Sequence, residues 1–158
     1  GASSSGGIDY TCTFDASSGK ATITNATCGA DVWEIPSSVT DASGTAYSVT
    51  GLGDYALNGS AAAIRIPASV TSISSMAFSG CQNLKTITVD PADTAYASDD
   101  EGVLYDKDKI QLIHFPEKNT LNSYRIPDTV TKIAPYAFYN IGSLYSCVCN
   151  VNRGICIL

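Results

Sequence analysis

Apolar and polar residues alternate along this chain in short bursts, none long enough for an extended amphipathic helix. Ile64-Arg65-Ile66 and Ile87-Thr88-Val89 each alternate, which is the period of a strand with one buried face. Between them come Pro67, then Val70, Ile73, Ala77-Phe78, Cys81 and Leu84. Proline ends a strand's ladder because it has no N–H to donate. The later apolar positions step inward through a second extended segment and a tight helical or 3₁₀ turn. Leu84 then returns the chain beneath the next strand. From Ile64 to Ile87 the circuit advances 23 residues.

The circuit recurs. Ile66-Pro67, Val70-Thr71, Ile73, Ala77-Phe78 and Leu84 reappear sixty residues on as Ile126-Pro127, Val130-Thr131, Ile133, Ala137-Phe138 and Leu144, eight identities at one offset. An earlier copy is split by a loop, with Ile35-Pro36 and Val39 before it and Val49-Thr50, Leu52 and Ala56-Leu57 after it. Each circuit leaves its apolar face bare until a neighbour stacks on it, so the copies must form one continuous stack.

This pattern resembles the BspA-like leucine-rich-repeat family of bacterial surface proteins, over about residues 32–149. The family's coil reads Ile-Pro-x-x-Val-Thr-x-Ile, then Ala-Phe, a Cys and Leu-x-x-Ile. Departures are Ile141 where Cys81 would repeat and Leu57 in place of Phe. Tyr96, Gly102-Val103-Leu104-Tyr105, Lys107-Asp108-Lys109, Leu112-Ile113 and Phe115-Pro116 resemble the hairpin insertion found between coils of that family. The expected fold is mainly β with short helical or 3₁₀ turns. It is a right-handed leucine-rich-repeat solenoid with a hairpin insertion and an N-terminal β-hairpin cap.

Residues 1–7, rich in Ser and Gly, read as a flexible leader. Residues 8–31 read as the capping hairpin, with Tyr10, Cys12 and Phe14 alternating, a turn around Gly19, and Ala21 to Thr24 alternating back. Residues 32–158 form the solenoid in one domain, interrupted at about 92–122, with a last turn at Asn152-Arg153-Gly154.

Composition narrows the partners. Charged residues are 15% and apolar ones 44%, a balance that suits a packed domain rather than a disordered chain. No apolar run approaches the roughly 18–20 residues of a membrane-spanning helix. A net charge of −6 argues against nucleic acid or an anionic membrane surface. The start has neither a basic nor an apolar region. A removed signal peptide or lipid anchor would account for that, and points to the extracellular space or the cell surface.

Candidate chemistry is sparse. His114 is the only histidine, and any Ser–His or Cys–His nucleophile would need it. It sits in Leu112-Ile113-His114-Phe115, read as an alternating strand with His114 outward. Asp99, Asp100, Glu101, Asp106 and Asp108 fit no calcium-loop spacing and read as solvated turns. Cys147, Cys149 and Cys156 lack the paired knuckles and nearby His of a zinc site. Cys81 reads as a small buried hydrophobe, and Cys12 and Cys28 could bridge across the first hairpin. The expectation is a non-enzyme with no metal and no cofactor.

Stacking the strands in register places Glu34, Arg65, Thr88, Arg125 and Val148 in one outward row. Val32, Ala63, Thr86, Ser123 and Ser146 make the row beside it, with Trp33, Ile64, Ile87, Tyr124 and Cys147 facing inward between them. Solenoids commonly bind on this face. Glu34, Arg65, Thr86, Thr88, Arg125 and Ser146 are therefore the candidate partner-binding residues, with Tyr105 on the hairpin as a second surface. The resemblance implies a monomeric surface module that recognises an extracellular or host protein or a glycan. The competing expectation is a structural spacer or capping repeat of a larger surface protein.

Overall fold

The computed structural model describes residues 1–141 and the strand at 146–148, the latter without its side chains. It is mainly β, with no helix among the described residues. The chain begins with β1 (Ala2–Ser5), β2 (Ile8–Asp15) and β3 (Lys20–Cys28). The first coil holds β4 (Val32–Glu34), β5 (Ser38–Thr40), β6 (Ala46–Leu52) and β7 (Leu57–Gly59), and the second holds β8 (Ala63–Ile66) and β9 (Ser72–Ile73). Next come β10 (Thr86–Val89), β11 (Tyr96–Ser98), β12 (Leu104–Asp106) and β13 (Gln111–His114). β14 (Ser123–Arg125), β15 (Lys132–Ile133) and β16 (Ser146–Val148) complete the described strands.

Parallel pairing one coil apart organises this list. β4, β8 and β10 form a sheet in the order β10-β8-β4, with Trp33, Ile64 and Ile87 in register. These central residues are at most 1% exposed. Burying a side chain of this size contributes about 1.5–3 kcal/mol, and slipping the register by one residue would turn each of them outward. A second set of parallel ladders runs along another side of the coils. β6 pairs β9 through Leu52↔Ile73, and β13 pairs β15 through Leu112↔Ile133.

At the N-terminal side, β3 pairs in parallel with β6 and β7 and antiparallel with β2. Tyr10, Cys12 and Ile23 thereby enter the same core as Trp33 and Leu52. Residues 1–7, expected as a flexible leader, instead carry β1, paired antiparallel with β2. The physical reason lies in Gly6 and Gly7, whose φ values are 57° and 78°. A two-residue hairpin turn of type I′ needs positive φ at both positions, and adjacent glycines supply it.

The expected helical or 3₁₀ turns are also replaced. After β9, the N–H groups of Ala77, Ser79 and Cys81 donate to the carbonyls of Ser74, Met76 and Phe78. Alternate rather than consecutive N–H groups make these bonds, so no helical turn builds up. The Met76 N–H just before them donates to Ser74 Oγ instead.

β11, β12 and β13 form an antiparallel ribbon that is covered on both faces. Leu104 and Ile113 pack into the cluster containing Ile87 and Phe78. Val103, Tyr105, Leu112 and Phe115 pack into a second cluster with Tyr124, Ile126 and Val130. The ribbon also takes the edge of β10. Ile87 N–H donates to the Gly102 carbonyl at 2.9 Å, and Val89 N–H to Ser98 Oγ at 2.9 Å. β14 and β16 accordingly form a separate parallel pair, and the single row of strands expected from the sequence is divided.

Gly102 marks how closely the ribbon approaches. Its φ is +83°, and an added Cβ would lie 2.6 Å from Thr86 Cβ. Gly44 has the same φ of +83° with nothing within 4 Å. Gly44→Ala is expected to cost about 1 kcal/mol from backbone conformation alone. Gly102→Ala should cost about 1–3 kcal/mol more because of the clash. Urea unfolding measures both, and equal losses would show that the contact with Thr86 relaxes freely.

Candidate functional site

The strand face falls in two parts. Glu34 and Arg65 are register partners, and their side chains form an ion pair at 2.8 Å while 70% and 61% exposed. Thr88 sits opposite Arg65, and Thr86 opposite Ala63. These four candidates share one surface. Arg125 lies on the other sheet and pairs with Asp128 at 3.3 Å. Ser146 is the register partner of Ser123, and its side chain falls outside the described residues. Cys149, Cys156 and the turn at 152–154 lie outside them too, as does the side chain of Cys147.

Tyr105 is not a surface residue. It is 0% exposed, and its hydroxyl meets that of Tyr124, which donates to Asp99. Burial first, then the bond to Asp99, pushes the Tyr124 hydroxyl well above its ordinary pKa. Asp99 is itself half-buried, and its Oδ1 accepts the N–H groups of Glu101 and Val103. It is thus a working part of the turn rather than a solvated charge. The chain of Tyr105, Tyr124 and Asp99 ties the ribbon to β14.

His114 is likewise inward, at 3% exposure. Its ring packs 5.1 Å from that of Phe78, and its Nε2 lies 3.1 Å from Glu117 Oε1, on a side chain also buried. The close pair is not aligned as a hydrogen bond. No hydrogen bond reaches either ring nitrogen of His114 or Oε2 of Glu117. Such unsatisfied buried groups cost about 1–3 kcal/mol each.

Register explains why a groove opens above this pair. Leu112 corresponds to Ile133, and Phe115 N–H donates to Ala137 O just as Leu57 N–H donates to Ala77 O. Five positions separate Leu52 from Leu57, Ile73 from Phe78 and Ile133 from Phe138, but only three separate Leu112 from Phe115. The shortened arm omits the stretch that carries Tyr55, Met76 and Tyr136 in the other coils. A groove of about 240 Å³ results, floored by His114 and Glu117 and walled by Tyr55, Met76, Tyr136 and Tyr139. The three tyrosines are 59%, 58% and 64% exposed.

Tyr55, Tyr136 and Asn140 all line this groove, and their φ values are 57°, 61° and 62°. The left-handed region is unfavourable for bulky side chains. Strain of this kind concentrates at functional sites. Sequence reading passed over these tyrosines, although a signal was there. Asp54-Tyr55-Ala56-Leu57 and Pro135-Tyr136-Ala137-Phe138 place Tyr at one repeat position that the core does not need.

Among the described residues no group of three or more His, Cys, Asp or Glu side chains gathers to hold a metal ion, and no helix is long and apolar enough to cross a membrane. Cys12 and Cys28 do not bridge. Both are free and buried, as is Cys81. Burial pushes the Cys81 thiol up to about 12, and it donates to Leu57 O at 3.3 Å.

The family described as BspA type leucine rich repeat region matches residues 50–119 and 108–153, in six copies. No curated protein matches the chain. Among solved structures, a leucine-rich repeat protein from Eubacterium ventriosum is 29% identical with a TM-score of 0.65, over 76% of this chain. The chain spans 30% of the length of that protein. One from Bacteroides capillosus is 24% identical with a TM-score of 0.55, over 94% of this chain and 98% of its own. A leucine rich cell surface protein from Faecalibacterium prausnitzii is 22% identical with a TM-score of 0.56, over 94% of this chain and 42% of its own.

Two outcomes follow from the site geometry. Because the Glu34–Arg65 pair is exposed, Arg65→Ala should lower unfolding stability by less than about 1 kcal/mol, and a larger loss in chemical denaturation would mean the pair holds the sheet together. At mildly alkaline pH, iodoacetamide should label Cys12, Cys28 and Cys81 only after unfolding. Peptide mass spectrometry reads this, and rapid labelling of Cys81 in the folded protein would contradict its burial.

Proposed function

We propose, from the premise that the chain belongs to the BspA-type leucine-rich-repeat family, that it is a non-catalytic binding module displayed at a bacterial cell surface. Its partner is an extracellular or host protein or a glycan. The observation that carries this reading is the groove, where exposed tyrosines in strained conformations stand over buried polar groups. Folding alone gives no reason to keep such an arrangement, whereas rigid aromatic walls with a few polar atoms suit ligand recognition. The exposed strand positions Glu34, Arg65 and Thr88, with half-buried Thr86 beside them, extend the contact surface. Arg125 adds to it where a partner reaches across both sheets, together with Ser146 at the register position beside Ser123.

In this reading the coils wind right-handed, the β1–β3 ladder closes the N-terminal end, and the segment at about 92–122 is an insertion between coils. A second reading is a structural spacer within a longer surface protein. The parallel ladders that join consecutive coils favour it, because stacking of this kind builds an extended array without any ligand.

Binding of the purified domain to arrays of extracellular-matrix proteins and glycans separates the two. The module reading expects saturable binding to at least one partner, weakened about tenfold or more in Tyr55→Ala/Tyr139→Ala. Arg65→Glu/Arg125→Glu reports on the strand face in the same assay. Silence of the wild-type domain on every array would leave the spacer reading standing.

A further inference from the structure

The groove floor holds polar atoms that the protein leaves unpartnered. His114 and Glu117 are 3% and 7% exposed, and both line the groove. Neither ring nitrogen of His114 nor Oε2 of Glu117 receives or gives a hydrogen bond. Buried nitrogen and oxygen atoms are nearly always paired in proteins, and each of these has a definite need. A neutral imidazole offers one N–H donor and one acceptor, and a carboxylate accepts only. The complementary group both donates and accepts within a small space, and adjacent hydroxyls do that.

The walls narrow the chemistry further. Tyr55, Tyr136 and Tyr139 present exposed ring surface, and the lining contains no Lys or Arg. With a net charge of −6 on the chain, phosphate, sulfate and acidic sugars would meet repulsion and find no cation. Aromatic rings around a carboxylate also suit an ammonium group. Here, though, the carboxylate shares the floor with the His114 ring, whose Nε2 lies 3.1 Å from Glu117 Oε1. The rest of the polar lining is uncharged Ser, Gln and Asn, so the site asks for donors and acceptors together rather than for a lone cation. At about 240 Å³, the groove lies below the roughly 300–1,000 Å³ of drug-sized sites. It suits one ring, with the remainder of a chain leaving through the open mouth.

We propose that the groove is a saccharide site. One ring of a neutral glycan seats its C–H face against a tyrosine ring and its hydroxyls over His114 and Glu117, whose covered, unpartnered atoms turn up to meet them. This rests on the binding-module reading and names the ligand of that same site.

The test is calorimetric titration of the whole domain with neutral hexasaccharides of glucose, mannose, galactose and N-acetylglucosamine. Tetramethylammonium and a sulfated oligosaccharide are run beside them. At least one neutral sugar should bind saturably, and Tyr55→Ala and Tyr136→Gly should each weaken it about tenfold or more. Tyr136 has a φ of 61°, which glycine adopts freely, so Tyr136→Gly should keep or raise the thermal unfolding midpoint. Lost affinity then reports on the groove and not on folding. Absence of binding by every neutral sugar, binding untouched by both tyrosine variants, or binding of tetramethylammonium alone would each overturn the proposal. If a matrix protein binds on the arrays while the sugars fail, the module reading stands and the saccharide site falls. Silence in both assays removes both.

Discussion

Each coil of this protein has an apolar side that only the next coil can cover, and that requirement governs everything else in the structure. Ile64 can be buried because Trp33 lies in register on one side and Ile87 on the other. The backbone enforces the match, since parallel ladders join consecutive coils along two of their sides. With side-chain direction alternating at every residue, no intermediate register is available. Stability is therefore passed from neighbour to neighbour rather than gathered around one centre.

Around β11, β12 and β13 the same requirement persists and the antiparallel ribbon meets it. β12 and β13 carry apolar residues on both faces and pack into both clusters at once. Tyr105, Tyr124 and Asp99 anchor the ribbon on one side, and Gly102 brings its backbone against Thr86 on the other. Coverage of the core thus continues although the ladder of strands does not. The arm through His114 is shorter than its neighbours, and the groove is the space left by that difference.

The groove and the strand face differ in physical character. Glu34 and Arg65 are solvated and mutually satisfied, so contact with a partner there would begin by disrupting an existing pair. The groove combines exposed aromatic surface with buried polar atoms lacking hydrogen bonds. Association there would cover the former and satisfy the latter, both favourable changes. Backbone pairing flanks both left-handed tyrosines, through β6 and β7 around Tyr55 and through the bonds of Ala134 N–H to Leu112 O and Phe115 N–H to Ala137 O around Tyr136, which holds them in place against the local strain.

The sequence by itself determined the repeat, its period, its register and which strand residues face inward. All of these follow from alternation and recurrence, which are local in the chain. Trp33, Ile64, Ile87 and Tyr124 could be placed from spacing alone. It also contained the evidence for β1 in Gly6-Gly7 and for a doubly covered ribbon in Leu112-Ile113-His114-Phe115, because an unbroken apolar run marks a strand buried on both faces. Reading that run as an alternating one sent His114 outward, and reading the hairpin around Tyr105 to Lys109 as a protrusion sent Tyr105 outward. Tertiary structure alone decided that the strand face would divide and that His114 would meet Glu117. It alone brought Tyr55 and Tyr136, eighty-one positions apart, to the walls of one groove. That outcome depends on which coil lies next to which and on an arm two residues shorter than its neighbours, and such a length difference becomes a cavity only when the coils are stacked.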